Sequence, residues 1–187
     1  MIKKTLLIVP FLLTSCMQEV TIDEQRTKVL KKEAVAKIKS VASVLKPQLK
    51  AAIKSGGFVH ALKFCSVQAP IIGKNANKDS DWSVRRISLK NRNPNAVPDA
   101  WEAKALHDFN KRAVKGENIA KMAFSEVVNG EFRFIKAQGT QKVCLACHGK
   151  SINTKVLTEI EKAYPNDKAT GYSLGEVRGA FSLRKEL

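Results

Sequence analysis

A helical spacing of apolar residues runs along the chain from about residue 19 to residue 55. Pro47 is expected to kink or split this helix, because proline removes a backbone hydrogen bond, and the glycines at 56 and 57 are expected to end it. The pattern therefore predicts a long amphipathic N-terminal helix. The apolar positions, three or four residues apart on one helical face, are Leu30, Ala34, Ile38, Val41, Leu45, Leu49 and Ala52.

A second helix is predicted over residues 58–70. Phe58, Leu62 and Cys65 fall on one stripe of it, so Cys65 is expected to point at the core. Residues 82–90 mix β-forming and charged side chains over a short span, which predicts a strand. The Asn- and Pro-rich residues that follow predict a loop.

The second half of the chain alternates helical and strand patterns. Asp99 and Glu102 have the spacing of a capping box, which opens a helix that Gly116 closes. Asn129 and Gly130 stand between two apolar stretches and predict a β-hairpin with a type I′ turn. A short helix before Pro165 and a last strand complete the order. This order predicts an α+β fold with an antiparallel sheet.

The first sixteen residues have the pattern of a bacterial lipoprotein signal. Lys3 and Lys4 precede an apolar run, residues 6–13, that is too short to span a bilayer. The run ends in LTSC, which resembles a lipobox, where cleavage precedes a lipidated cysteine, here Cys16. The alternative is an ordinary secretory signal with a chance cysteine.

The residue after that cysteine bears on localisation. Met17 is not acidic, and lipoproteins that lack an acidic residue directly after the lipidated cysteine resemble those sorted to the outer membrane. We therefore expect a lipid-anchored protein that faces the periplasm. The expected division of the chain is a signal peptide at 1–15, a lipidated tether at 16–27 and a single domain at 28–187.

The chain is strongly basic, with 33 Lys and Arg against 17 Asp and Glu and a formal net charge of +16. In the cytosol such a charge would suggest nucleic acid, which an exported protein seldom meets. Acidic lipid headgroups, anionic envelope polymers or an acidic redox or signalling partner are the expected counterparts. Solvated lysines without any partner are the alternative.

The sequence CLACHG contains the C-x-x-C-H motif of covalent haem attachment. Cys144 and Cys147 would reach the two vinyl groups of a porphyrin, and His148 would lie beneath the iron. A structural zinc site would need four ligands, and the other donors are few: Cys65, His60 and His107. A redox-active dithiol is a further alternative, but the βαβ context of thioredoxin-like proteins is lacking.

Cys65 is left without a partner if the other three cysteines carry lipid and haem. It is either a buried core residue or the second axial ligand of the iron. The competing candidates for that second position are Met122, His60 and His107. Sequence position alone leaves this choice open.

Four segments together resemble a family of single-haem c-type domains long catalogued as a domain of unknown function. Its members occur as standalone exported proteins and as sensing domains of bacterial receptors. The resemblance implies a PAS-like fold and a six-coordinate haem held by the motif histidine and a cysteine on an earlier helix, here His148 and Cys65. No transmembrane helix or transmitter domain follows, so signalling would need a separate partner. The segments are FCSVQAP (64–70), RRISLKNRNPNAVPDAWE (85–102), CLACHG (144–149) and YPNDKATGYSLGEVRGAFS (164–182).

We therefore expect an exported protein with one covalent haem c that acts in redox or small-ligand sensing or in electron transfer rather than as an enzyme. A peroxidase-type haem enzyme and a haemless zinc module are the alternatives. Arg85, Arg86 and Arg92 are candidate contacts for the haem propionates, although a solvated strand face would also explain them.

Overall fold

The computed structural model describes residues 22–187. The predicted signal peptide and Cys16 lie outside the described residues. Within these residues, no helix combines the length and apolar character needed to cross a membrane.

The long N-terminal helix, α1, spans Glu24–Asn77. Asp23 caps its start by accepting a hydrogen bond from the backbone N–H of Arg26. Two residues inside α1 are not helical: Gly56 has φ −150° and Gly57 has φ +70°, a left-handed conformation that favours glycine. They divide α1 into a first segment, residues 24–55, and a second segment, residues 58–77.

The break at the glycines confirms the sequence prediction, but two other predictions about α1 are wrong. Pro47 causes no break, because its ring fixes a φ close to the helical value and the residues beside it are exposed. Pro70 does not end the second segment, which continues to Asn77. A proline in a helix removes one hydrogen bond, and the rest of the turn tolerates that loss here.

Four antiparallel strands form one sheet in the order β1-β4-β3-β2. The α+β fold with a long N-terminal helix is thereby confirmed. In the β2–β3 hairpin, Asn129 and Gly130 have φ of 52° and 78°, as a type I′ turn requires. The strands are β1 Ser83–Ile87, β2 Ala123–Val128, β3 Glu131–Gly139 and β4 Val177–Glu186.

Each face of the sheet has its own apolar core. The first segment of α1 covers one face, which we call the α1 face, and it contacts Trp82, Val84 and alternate residues of β3 and β4. Helix α2, Ala100–Val114, covers the opposite face with Leu106 and Phe109. The predicted capping box of Asp99 and Glu102 is present at its start.

A third, smaller core joins the second segment of α1 to the C-terminal half of the chain. Leu62 packs there against Val156 and Ile160 of helix α4, Thr154–Ala163. Cys147, in the short helix α3, Leu145–His148, packs against the same cluster. This core brings the helix that carries Cys65 to the C-x-x-C-H motif.

Candidate functional site

The C-x-x-C-H motif forms a tight helical turn. A 3₁₀ turn, Lys142–Cys144, runs directly into α3, and the N–H of Gly149 closes it by donating to the carbonyl of Leu145 at 2.9 Å. A Cβ on Gly149 would lie 2.5 Å from that carbonyl oxygen, so only glycine permits the closure. Cys144 and Cys147 lie about one turn apart with half-buried, free thiols.

The loop between α4 and β4, which we call the C-terminal loop, fixes the orientation of His148. The backbone N–H of Tyr172 donates to the carbonyl of His148 at 2.9 Å, and the N–H of Gly171 donates to Gly149 at the same distance. The Nδ1 atom of His148 lies 2.7 Å from the carbonyl oxygen of Ala169. A carbonyl can only accept, so Nδ1 carries the proton and Nε2 keeps a free lone pair.

The surroundings of His148 keep its ring neutral. Burial and the positive charges of Arg178 and Arg92 lower its pKa to about 3. A neutral imidazole with one free nitrogen is the form that binds a metal ion. The ring also meets Tyr172 edge-on, with 6.5 Å between ring centroids.

Arg92 connects the loop after β1 to both parts of the site. Its Nη2 donates to the carbonyl of Cys147 at 2.7 Å and to Asp167 at 2.8 Å. Both members of this ion pair are only 9% exposed. Burial alone would raise the pKa of Asp167, but the hydrogen bond from Arg92 lowers it below its usual range. Arg92 thus holds α3 and the C-terminal loop together.

Cys65 lies one turn beyond Leu62, which reaches the same small core as Cys147. Burial raises the pKa of the Cys65 thiol, and the charges of Arg86 and Arg92 oppose this. Burial also raises the pKa of Cys147, and Cys65 adds to that effect. The fold thus brings Cys65 to the C-x-x-C-H motif from 79 positions earlier in the sequence.

The competing candidates for an iron ligand are either packed in another core or exposed to solvent. Met122 is fully buried in the core between the sheet and α2, packed with Leu106 and Phe109. His107 is exposed on α2, and His60 is exposed beside the break in α1.

Arg85 and Arg86 point to opposite faces of the sheet because they are adjacent in β1. Arg85 lies on the face that α2 covers and forms an ion pair with the buried Glu102 at 2.5 Å. Arg86 lies on the α1 face, 5.3 Å from the centre of the Phe181 ring. Its side chain is solvent-exposed, yet the surrounding atoms lower its pKa to about 10.

The donors of this site do not form a zinc cluster. Among residues 22–187, no three His, Cys, Asp or Glu side chains come close enough to hold a metal ion. Structural zinc requires four such ligands, whereas a porphyrin supplies four nitrogens of its own and needs only one or two from the protein.

Sequence reasoning missed two parts of the site. The carbonyl of Ala169 leaves no signal in the sequence, because any residue could supply it. Arg178 and Tyr172 lie in a segment that resembles the single-haem family, but nothing in their spacing assigns them to the site.

Fold and site together define the class of protein. It is an α+β domain in which a C-terminal loop orients a C-x-x-C-H turn. The helical segment that carries Cys65 packs against the same small core as Cys147. The chain belongs to the Tll0287-like family, whose model matches residues 18–185.

A solved structure has the same fold. It is the crystal structure of the cyanobacterial heme-protein Tll0287, which superposes with a TM-score of 0.65 at 23% sequence identity. The match covers 88% of this chain and 97% of that chain. No curated protein matches this sequence.

Proposed function

We propose that the protein binds one haem covalently through Cys144 and Cys147, with His148 as an axial ligand of the iron. The observation that carries the proposal is the 2.7 Å hydrogen bond between Nδ1 of His148 and the carbonyl of Ala169. It fixes the tautomer in which Nε2 can bind iron. A histidine that ligates a metal through one ring nitrogen typically donates a hydrogen bond from the other, because this bond fixes the orientation of the ring.

The residues around the motif fit this group. Two thiols one helical turn apart suit two thioether bonds to a single porphyrin edge, and the small core beside Cys147 offers an apolar surface. Membership of the same family as a cyanobacterial heme-protein supports the proposal. When bound, haem would supply a one-electron redox centre.

The test is a visible spectrum of the protein produced with a cytochrome c maturation system. We expect a Soret band, and we expect the haem to stay on the polypeptide in a denaturing gel stained for haem. A preparation without a Soret band, or one whose haem leaves on denaturation, would contradict the proposal. A high-spin, five-coordinate spectrum would instead favour a peroxidase or an oxygen-binding protein.

We further propose Cys65 as the second axial ligand. A thiolate buried without a partner is costly, but iron deprotonates and stabilises a coordinated thiol. The apolar contacts of Leu62 hold this helical segment against α4, close to Cys147. A thiolate ligand donates electron density to the iron and favours its ferric state.

A Cys65→Ala variant is therefore expected to keep its covalent haem while the ferric spectrum changes spin state and the reduction potential rises. Absorption spectroscopy and a redox titration measure the two effects. The matched control is Met122→Leu, which conserves volume in the other core and should leave both unchanged. An unaltered spectrum and potential in Cys65→Ala would make Cys65 a packing residue only.

Such a site suits redox sensing, small-ligand sensing or electron transfer in the bacterial cell envelope. A ligand that displaces Cys65 would produce a sensor, whereas permanent six-coordination would suit an electron carrier. Titration of the ferrous protein with carbon monoxide separates the two: rapid binding supports a sensor, and its absence supports a carrier.

A further inference from the structure

A β-bulge changes the direction of Arg178. Gln138 of β3 pairs with Gly179, but the next residue, Gly139, pairs with Val177, so Arg178 is an extra residue in β4. A bulge of this kind redirects a side chain. The side chain of Arg178 consequently packs against Tyr172, 5.1 Å from the ring centre, instead of following the alternation of the strand.

The hydrogen bonds of Arg178 use only one of its nitrogens. Nη1 donates to the hydroxyl of Ser88 at 2.9 Å and to the carbonyl of Lys90 at 3.3 Å. The Nε atom is buried and has no hydrogen-bond partner in the described part of the chain. The Nε–Nη2 edge, which binds a carboxylate through two parallel hydrogen bonds, is thus left to another partner.

Arg178 and Arg86 also lack acidic partners. Within residues 22–187, neither forms an ion pair with Asp or Glu, whereas Arg92 is paired with Asp167. Arg178 lies near Arg86, because its Nη1 bonds to Ser88, which is two residues further along the chain and therefore on the same side as Arg86. A buried Nε–H without a partner is costly unless an anion joins it, and Arg86 places a second, exposed positive charge beside Arg178.

We propose that Arg178 and Arg86 form a carboxylate-binding pair that holds the propionates of the haem, with Arg178 acting through its Nε–Nη2 edge. This inference rests on the proposed function. Arg178 is the stronger member because Ser88 and Tyr172 already hold its guanidinium, so little conformational entropy is lost on binding. The bulge in β4 is then the backbone feature that directs Arg178 toward the propionates.

The test compares the reduction potentials of Arg178→Gln and Arg112→Gln in the haem-loaded protein. Arg112 is a surface residue on α2 that pairs with Asp108 and Glu117, so its loss changes the net charge equally. Loss of the cation beside a propionate should favour the ferric state tenfold, which lowers a one-electron potential by about 59 mV. Arg112→Gln should leave it unchanged, because solvent and salt screen that charge.

Two further arms complete the experiment. Arg178→Lys keeps the charge without the planar fork, and it should recover most of the potential while the Soret band stays in place. Acetate added to the parent protein should have no effect, since the propionates already occupy the pair. Equal reduction potentials in Arg178→Gln and Arg112→Gln would overturn the propionate contact. A reduction potential of the parent protein that changes with acetate would show that the two arginines bind a free carboxylate instead. Absence of a Soret band from the parent overturns the proposed function itself.

Discussion

A double variant, Cys144→Ala with Cys147→Ala, is expected to lose all haem staining on a denaturing gel. Thioether bonds alone survive denaturation, and these two cysteines are the thiols of the C-x-x-C-H motif. His148 would remain, held by Ala169, so the variant could still bind haem without a covalent bond. A Soret band that disappears from the polypeptide only on denaturation is therefore the expected signature.

The control for this experiment is the Cys65→Ala variant, which removes a neighbouring thiol but leaves the motif intact. It should stain as the parent does. Staining that persists in the double variant would show that haem is attached elsewhere. Staining that is lost in Cys65→Ala as well would show that this cysteine takes part in attachment rather than in axial ligation.

A Glu102→Gln variant is expected to lose about 3 kcal/mol of unfolding free energy, which is the lower end of the range for breaking a buried ion pair. The carboxylate is completely buried, and it accepts from Arg85, from the hydroxyl of Ser182 at 2.6 Å and from the backbone of Asp99 at 2.8 Å. The lower end applies because the Arg85 side chain is 38% exposed, so water can replace part of the interaction. Urea denaturation measures the loss.

The control for Glu102 is Glu117→Gln, which removes a carboxylate of the same kind from an exposed pair with Arg112. Exposed pairs contribute little to stability, so this variant should unfold with the parent. Equal midpoints for the two variants would mean that the network around Glu102 does not stabilise the fold.

Acid should weaken the same network. Burial alone would raise the pKa of Glu102, but hydrogen bonds from Arg85 and Ser182 lower it below its ordinary value of 4.5. A carboxylate with a lowered pKa stabilises the fold above its ordinary pKa and loses this effect as the pH falls through the folded value. The stability of the parent should therefore drop below about pH 4.5, and this drop should be smaller in Glu102→Gln.

The elements of this fold were predictable wherever one local signal dominated. The capping box of Asp99 and Glu102, the Asn129–Gly130 turn and the break at Gly57 each depend on a few neighbouring residues. The predictions from Pro47 and Pro70 were wrong because the effect of a proline on a helix depends on the contacts of the helix around it. Pro47 lies on an exposed helix where one lost hydrogen bond is tolerated, and nothing in its neighbours in the sequence signals that exposure.

The site was predictable only as far as the motif. Cys144, Cys147 and His148 are adjacent in the sequence, and the choice of Cys65 depended on a resemblance rather than on spacing. The opposite placement of Arg85 and Arg86 follows from strand alternation, yet which of them faces the thiols depends on how the helices pack. Contacts between distant segments also determine the role of Ala169, and no periodicity reports them.

The order of strands in the sheet has a consequence for the timing of biogenesis. β4 is the last of these four strands to be synthesised, but it lies between β1 and β3, so the sheet stays incomplete until residues 177–186 are available. The carbonyl that holds His148 belongs to Ala169, 21 residues after it. An emerging chain therefore presents the C-x-x-C-H thiols before the C-terminal loop restrains them, and the covalent attachment proposed above would be easiest at that stage.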